Sequence, residues 1–421
     1  LILKLIAASI ACCIIASTAG AEGMRVPSLN DLLEIAMEAN PEILAAREAV
    51  TAARYQSAAS GGYPDPLFQY THFVESIETR LGPQQDVFQI IQPIPFPGKL
   101  SLQKRVAAFD ADLLEQRFYL LRLNVRRDIK TSYFTIASLD GILRALDELE
   151  TVLQTFEELV GTRVESGYGN QQDILKAQVE RIKLRERKLN TSRRRASQVA
   201  KLNSLLGRDP EHAIHVEPPD SIPSLTQTES ELRDIALQRP ELRSNELMIE
   251  RNDRALSLAR KKYLPDFTLG ARYITIGDPP MDIPDSGRDA WNVSIGVRIP
   301  LWFGKVRNEV KERESYARQL DRNLESSKQK TFAELSDLYN QYEVAVELLG
   351  LYENDLIPRA QQALESAKAG YMSGEVDFLY LLDSLRLLLE LRITLSEKRA
   401  DVEKMISEIE ALVGRDLVER K

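Results

Sequence analysis

Between residues 291 and 299 the chain alternates without a miss. Trp291, Val293, Ile295, Val297 and Ile299 fall on one side; Asn292, Ser294, Gly296 and Arg298 fall on the other. Period two over nine residues predicts a half-buried strand. A second alternating run, 267–276, precedes it across the polar loop 278–289. The runs 67–77 and 87–94 also read as strands, less regularly, with Gln89 and Gln92 on opposite faces. Everything around them has helical spacing. Phe332, Leu335, Tyr339, Tyr342, Val346, Leu349, Leu356, Ala360, Ala363 and Ala367 recur by steps of mostly three and four, with Glu353 the one polar residue in the seam. A 3.5-residue period predicts a left-handed supercoil. About 65 residues of such a helix make a rod near ~100 Å long, and Pro358 predicts a local bend in it.

The pattern occurs twice. Pro41-Glu42 is echoed by Pro240-Glu241, and Pro64-Asp65 by Pro265-Asp266. Residues 164–177 match 371–384, and 205–210 match 412–417. "QPIPFPGK" at 92–99 returns as "RIPLWFGK" at 298–305. Two copies, 22–210 and 229–421, are therefore expected around a linker, 211–228. Each copy holds a helix (41–62 or 240–263), two strands, a helix of about 65 residues, a Gly-containing break and a helix of about 37.

A half-polar strand pair also suits a soluble sandwich, but two features favour a membrane barrel. Each run has about the 9–11 residues that a tilted strand needs to cross a bilayer. The only two tryptophans, Trp291 and Trp302, sit at the ends of one strand, where an interfacial girdle places aromatics. Two copies supply four strands, and open strand edges are not tolerated in hydrocarbon. Copies of the chain must then complete a cylinder, and three would give twelve strands.

Composition narrows the function. A net charge of -8 offers no basic excess for nucleic acid. Three histidines and two adjacent cysteines are too few for an obvious catalytic metal site, and His212 and His215 lie in a Pro-rich segment. No nucleophile–base pair or phosphate loop stands out, so no enzyme activity and no cofactor are expected. Residues 1–21 combine Lys4, an apolar run and Ala19-Gly20-Ala21, the pattern of a secretory signal peptide. Cys12 is followed by further apolar residues, which argues against a lipidation site.

The doubled unit, the Phe-Pro-Gly-Lys and Trp-Phe-Gly-Lys junctions, "NPEILAAREAV" and the two Gly-centred breaks resemble the TolC family of outer-membrane channels. "YPDP" followed by "QPIPFPGKL" is most similar to its heavy-metal efflux branch, the CzcC/CusC-like proteins. The resemblance implies a mainly α fold with membrane β: four strands per chain in a twelve-stranded trimeric barrel, above a long coiled-coil α-helical tunnel. It implies a homotrimer in the outer membrane of a Gram-negative bacterium, in contact with lipid, a periplasmic adaptor and an inner-membrane pump of the resistance-nodulation-division type. The expected function is the exit duct of a tripartite efflux system, with heavy-metal cations among the candidate substrates. The alternatives are the exit channel of a type I secretion system and a periplasmic coiled-coil adaptor or scaffold without a pore.

The same resemblance directs attention to the helix reversals. Gly167 and Gly374 mark the turns, and Val164, Tyr371 and Asp173 flank them as candidate adaptor contacts. In the family, acidic residues after the second turn constrict the periplasmic mouth. That carries over to Asp383, while the other expected acidic position holds Tyr380; Asp377 and Glu375 lie nearby. Gly98-Lys99 and Gly304-Lys305 are the expected barrel-to-helix junctions, with the glycines accepting unusual backbone angles. A lysine beside a helix N-terminus is mildly unfavourable and has no evident reason in the sequence.

Overall fold

A computed structural model describes residues 27–167, 169–216, 222–278, 284 and 287–418. The expected signal peptide and both cysteines lie outside the described residues. Helices α1 (Leu29–Ala39) and α2 (Pro41–Ala59) lead into strands β1 (Leu67–Thr79) and β2 (Gly82–Ile94). Helices α3 (Lys99–Glu165) and α4 (Gln171–Leu205) follow. The second half repeats the order: α5 (Glu229–Ala236), α6 (Pro240–Lys261), β3 (Asp266–Ile276) and β4 (Ala290–Arg298). It ends in α7 (Phe303–Leu351), a π-helical turn (Tyr352–Leu356), α8 (Ile357–Ser373) and α9 (Phe378–Val413).

Two elements go beyond the sequence reading. Helices α1 and α5 precede the expected first helix of each half, and both begin with a capping box. Ser28 and Asp31 exchange side-chain and backbone hydrogen bonds at one, Thr228 and Glu231 at the other. Each box satisfies amide groups that the first helical turn leaves without a partner.

Helix α3 is the spine. With 67 residues it is about 100 Å long. Its upper part packs against α2 and α6, its lower part against α4 and α9. Three apolar cores are strung along the rod. One holds α1, residues 125–137 of α3 and the end of α4; its counterpart holds α5, residues 335–349 of α7 and the end of α9. The third lies farthest from the strands, where Leu146, Leu153 and Phe156 of α3 meet Leu364, Phe378 and Leu385. Between the upper cores Lys130 is buried against Glu410 at 2.7 Å and Asp416 at 2.6 Å, while Glu410 also accepts from the Leu417 and Val418 amides. This ties the end of the chain to its spine.

The expected heptad seam holds in part: Leu335, Tyr342, Leu349 and Ala360 are buried as expected, while Val346 is exposed and the spacing shifts after residue 349. Leu335, Tyr342 and Leu349 are buried in steps of seven, as are Leu364 and Tyr371, but Leu349 to Leu364 is fifteen residues. Two heptads account for fourteen. The π turn takes up the extra residue, widening the helix just ahead of Pro358. Beyond it Leu364 rather than Ala363 faces inward. Glu353, inside the turn, reaches Arg399 of α9 at 2.7 Å.

The four strands form one antiparallel sheet in the order β1-β2-β3-β4, with β1 and β4 at open edges. The strands of the first half are longer than expected, because a tight turn at residues 80–81 replaces a loop. The register sorts the side chains. Tyr70, Phe88, Tyr273 and Trp291 form one row across the sheet. On the same face, toward the helices, lie Ile90, Ala271 and Val293, then Leu269 and Ile295. This face is bare: Trp291 and Ile295 are each 74% exposed. The opposite face carries the row Gln69, Gln89, Arg272 and Asn292. Just beyond the aromatic row, Asp86 accepts hydrogen bonds from Tyr70 and meets His72, each at 2.8 Å, so the apolar band ends in a polar rim. At its other end lie Phe96, Phe267, Phe303 and Trp302. Among the described residues no helix is long and apolar enough to cross a membrane.

If the bare face meets lipid, it should reject charge where the other face accepts it. Ile295→Arg should cost about 2–4 kcal/mol of folding into lipid vesicles, the depth-dependent penalty for arginine on a lipid-facing strand. Ser294→Arg, one residue away, should cost far less. Equal penalties, read from denaturant titrations in vesicles, would reverse the assignment of the faces.

Candidate functional site at the helix tips and strand–helix junctions

At the end of the rod farthest from the sheet, both helix pairs reverse through glycine. Gly167 and Gly374 each have φ +81°, a left-handed conformation that a Cβ would strain. Asn170 then caps α4 by accepting from the Gln172 amide. At the other tip the Glu375 amide folds back onto the Gly370 carbonyl at 2.8 Å.

Tyr371 sits inside this tip. It is 4% exposed, its ring lies 5.5 Å from that of Phe378, and the Arg163 guanidinium stacks 4.8 Å from its centroid. The same arginine donates to the Tyr371 carbonyl, joining α3 to α8. Burial, with Asp173 adding to it, pushes the phenol up; Arg163 opposes the shift. Val164 packs half-buried against the same core. These two side chains hold the tip from within, whereas Gly167, Gly374, Glu375 and Met372 lie on its surface. Asp173 is in the first turn of α4 and pairs with Lys176 at 3.3 Å.

Helix α9 carries Tyr380, Asp383, Leu387 and Glu390 on one exposed face, opposite the buried Leu381, Leu385 and Leu388. Asp377 is its N-cap and is exposed, with no capping hydrogen bond from its side chain. Asp383 is not isolated: Arg386 bonds it at 3.2 Å and reaches Glu180 of α4 at 2.6 Å. Glu180 is largely buried, and the Arg386 hydrogen bond holds its carboxyl below the usual glutamate range against the effect of burial. Further up, Arg187 bridges to Glu390 at 2.6 Å. Ion pairs thus link α4 to α9 beside the expected mouth, a link the sequence reading missed. It also missed an exposed apolar stripe on α4, Leu175, Val179, Ile182 and Leu189, whose steps of four, three and seven mark a seam with no partner among the described residues.

At the other end of the rod the two junctions differ. Gly98 has φ +87° and opens α3, as expected. Gly304 has no positive φ: α7 starts one residue earlier, at Phe303, so Gly304 has entered the helix and turns nothing. Lys99 now has a reason. Its ammonium donates to Asp266 Oδ1 at 2.8 Å and to the Leu264 carbonyl at 3.0 Å, away from the helix amides it would repel. Lys305 is exposed. Trp291 lies in the aromatic row at one end of the bare face, Trp302 at the other as the N-cap of α7.

A spine of helices, a four-stranded sheet with one bare apolar face and twin helical tips make a combination with known counterparts. Residues 232–415 match the family model described as outer membrane efflux protein. The chain is similar to the cobalt-zinc-cadmium resistance protein CzcC of Cupriavidus metallidurans, 21% identical over 80% of this chain and 79% of the relative. Its fold superposes on CusC with a TM-score of 0.79 at 18% identity, covering 93% of each chain. It superposes on VceC of Vibrio cholerae with a TM-score of 0.75 at 18% identity, covering 93% of this chain and 97% of that one. The family model and VceC are described as outer-membrane proteins, and the CusC structure is described by the formation of a transmembrane channel.

The Arg386–Glu180 link has a defined pH dependence. A carboxyl whose folded pKa is depressed contributes stability above its ordinary range and loses it as the pH falls through the lowered value. Arg386→Gln should therefore melt earlier than the parent at neutral pH, with the gap closing as the pH drops below the glutamate range. A gap that stays constant down the titration would mean that Arg386 acts by packing alone.

Proposed function

We propose that this chain is the exit duct of a tripartite efflux system. Three copies close a twelve-stranded barrel and continue as a helical tunnel through the periplasm. A periplasmic adaptor and a resistance-nodulation-division pump deliver the substrate, and the duct conducts it passively. The observation that carries this reading is the sheet: its two edges lack partners, and its bare apolar face is flanked by aromatics. A coiled-coil scaffold without a pore has no use for such a sheet.

Within this reading the halves 22–210 and 229–421, joined by 211–228, act as quasi-equivalent sectors of one wall. Trp291 and Trp302 sit at the two membrane interfaces. The tips around Gly167 and Gly374 meet the adaptor, with Tyr371 and Val164 as their internal support and Asp173 nearby. Asp383 and Tyr380, with Asp377 and Glu375, line the periplasmic mouth. Carboxylates there favour cations, while Tyr380 breaks the acidic pattern of the family. The likeness to a protein named for cobalt, zinc and cadmium resistance supports heavy-metal cations as the substrate.

Deleting the gene should sensitise cells to divalent heavy metals more than to dyes or antibiotics; a strain sensitive only to dyes and antibiotics would reassign the substrate. In planar bilayers the purified protein should form pores, and Asp383→Ala should raise the leak conductance and weaken cation preference. Unchanged conductance would remove Asp383 from the mouth, and absence of pores would remove the duct.

A further inference from the structure

One knot of hydrogen bonds joins the two halves where the chain leaves the sheet. Asp266 Oδ1, at the start of β3, accepts from the Lys99 ammonium and from the Phe96 amide, each at 2.8 Å. The Lys99 side chain is only 11% exposed, so the pair is shielded enough to count for more than a surface ion pair. Lys99 follows β2, and β2 is the antiparallel neighbour of β3.

Both partners have counterparts in the other half. Pro64-Asp65 stands before β1 as Pro265-Asp266 stands before β3, and Lys305 follows β4 as Lys99 follows β2. In one chain these counterparts lie at opposite edges of the sheet. Both are exposed, and among the described residues neither has an ion-pair partner. The strands alternate in direction, so β4 runs toward the helices like β2, and β1 runs away from them like β3. When β4 of one copy lies against β1 of the next, Lys305 approaches Asp65 of that copy as Lys99 approaches Asp266. Trp302, equivalent to Phe96, brings a backbone amide to the same carboxylate.

We propose that Lys305 of one copy pairs with Asp65 of the next, and that this ion pair locks each subunit boundary where barrel meets tunnel. Resting on the trimeric reading above, it makes three internal and three intersubunit knots of one design around the ring. It explains why the lysine recurs beside a helix N-terminus, where the dipole alone disfavours it.

Charge reversal tests the pair. Asp65→Lys and Lys305→Asp should each lower, by several degrees, the temperature at which the trimer dissociates on a gel; the double variant should recover most of the loss. A second arm covers variants that fail to assemble. The only cysteines are Cys12 and Cys13, ahead of the expected cleavage point, so introduced thiols are addressable. Asp65→Cys with Lys305→Cys, treated with a short bis-maleimide, should give covalent dimers and trimers. Lys99→Cys with Asp266→Cys should cross-link only within a chain. Intact trimers that show neither the double-variant recovery nor intersubunit cross-links would overturn the lock and leave the duct standing. A wild-type protein that is monomeric in mild detergent would instead overturn the trimeric reading itself.

Discussion

The outer edges of β1 and β4 present backbone amide and carbonyl groups that no other strand among the described residues meets. In water such edges cost little. In hydrocarbon each unmet group costs several kcal/mol, which is why only helices and closed barrels span membranes. The bare face between two aromatic rows commits the sheet to hydrocarbon, and the open edges then commit the chain to further copies of itself. Much of the remaining architecture serves that closure. In the proposed trimer the helices continue the wall below it, and the two halves supply alternating sectors with matching ends.

The two halves are similar but not interchangeable. In the first, α3 runs unbroken for 67 residues; in the second, α7 and α8 are separated by a π turn that absorbs one residue of heptad drift. The first junction turns at a left-handed glycine, while the second starts its helix at Phe303 and needs none. In the proposed trimer such departures alternate around the ring and give the helix tips two characters. The tip of α3 and α4 carries the unpartnered stripe through Leu175, Val179 and Ile182. The tip of α8 and α9 carries the polar face with Asp383. Arg163 and Arg386 hold the two tips together, and both bonds are polar and close to solvent, the kind of contact that can open without unfolding a core.

Much of the fold was legible because the periodicities are long and clean. The strict alternation at 291–299 specifies both a strand and its faces, and the seam at 335–349 specifies a helix that needs partners. What stayed hidden depended on single residues or on distant pairing. The capping boxes at Ser28 and Thr228 are readable motifs that announce α1 and α5, yet they open helices of only 11 and 8 residues, too short for periodicity to speak. Pro358 signalled a disturbance without specifying its form. A bend was expected; the form the disturbance takes is a one-residue widening just ahead of the proline, which restores the seam. Lys99 and Asp266 are 167 positions apart, so no local pattern could join them. Asp383 came from the family resemblance as a candidate for the mouth, but its tie through Arg386 to Glu180 appears only when α4 and α9 lie side by side.

Amide hydrogen exchange of the protein in lipid nanodiscs tests closure most directly. In a closed barrel the amides of β1 and β4 along their outer edges exchange as slowly as those of β2 and β3. Rapid exchange confined to those two edges, with the inner strands protected, would contradict a barrel completed by neighbouring copies.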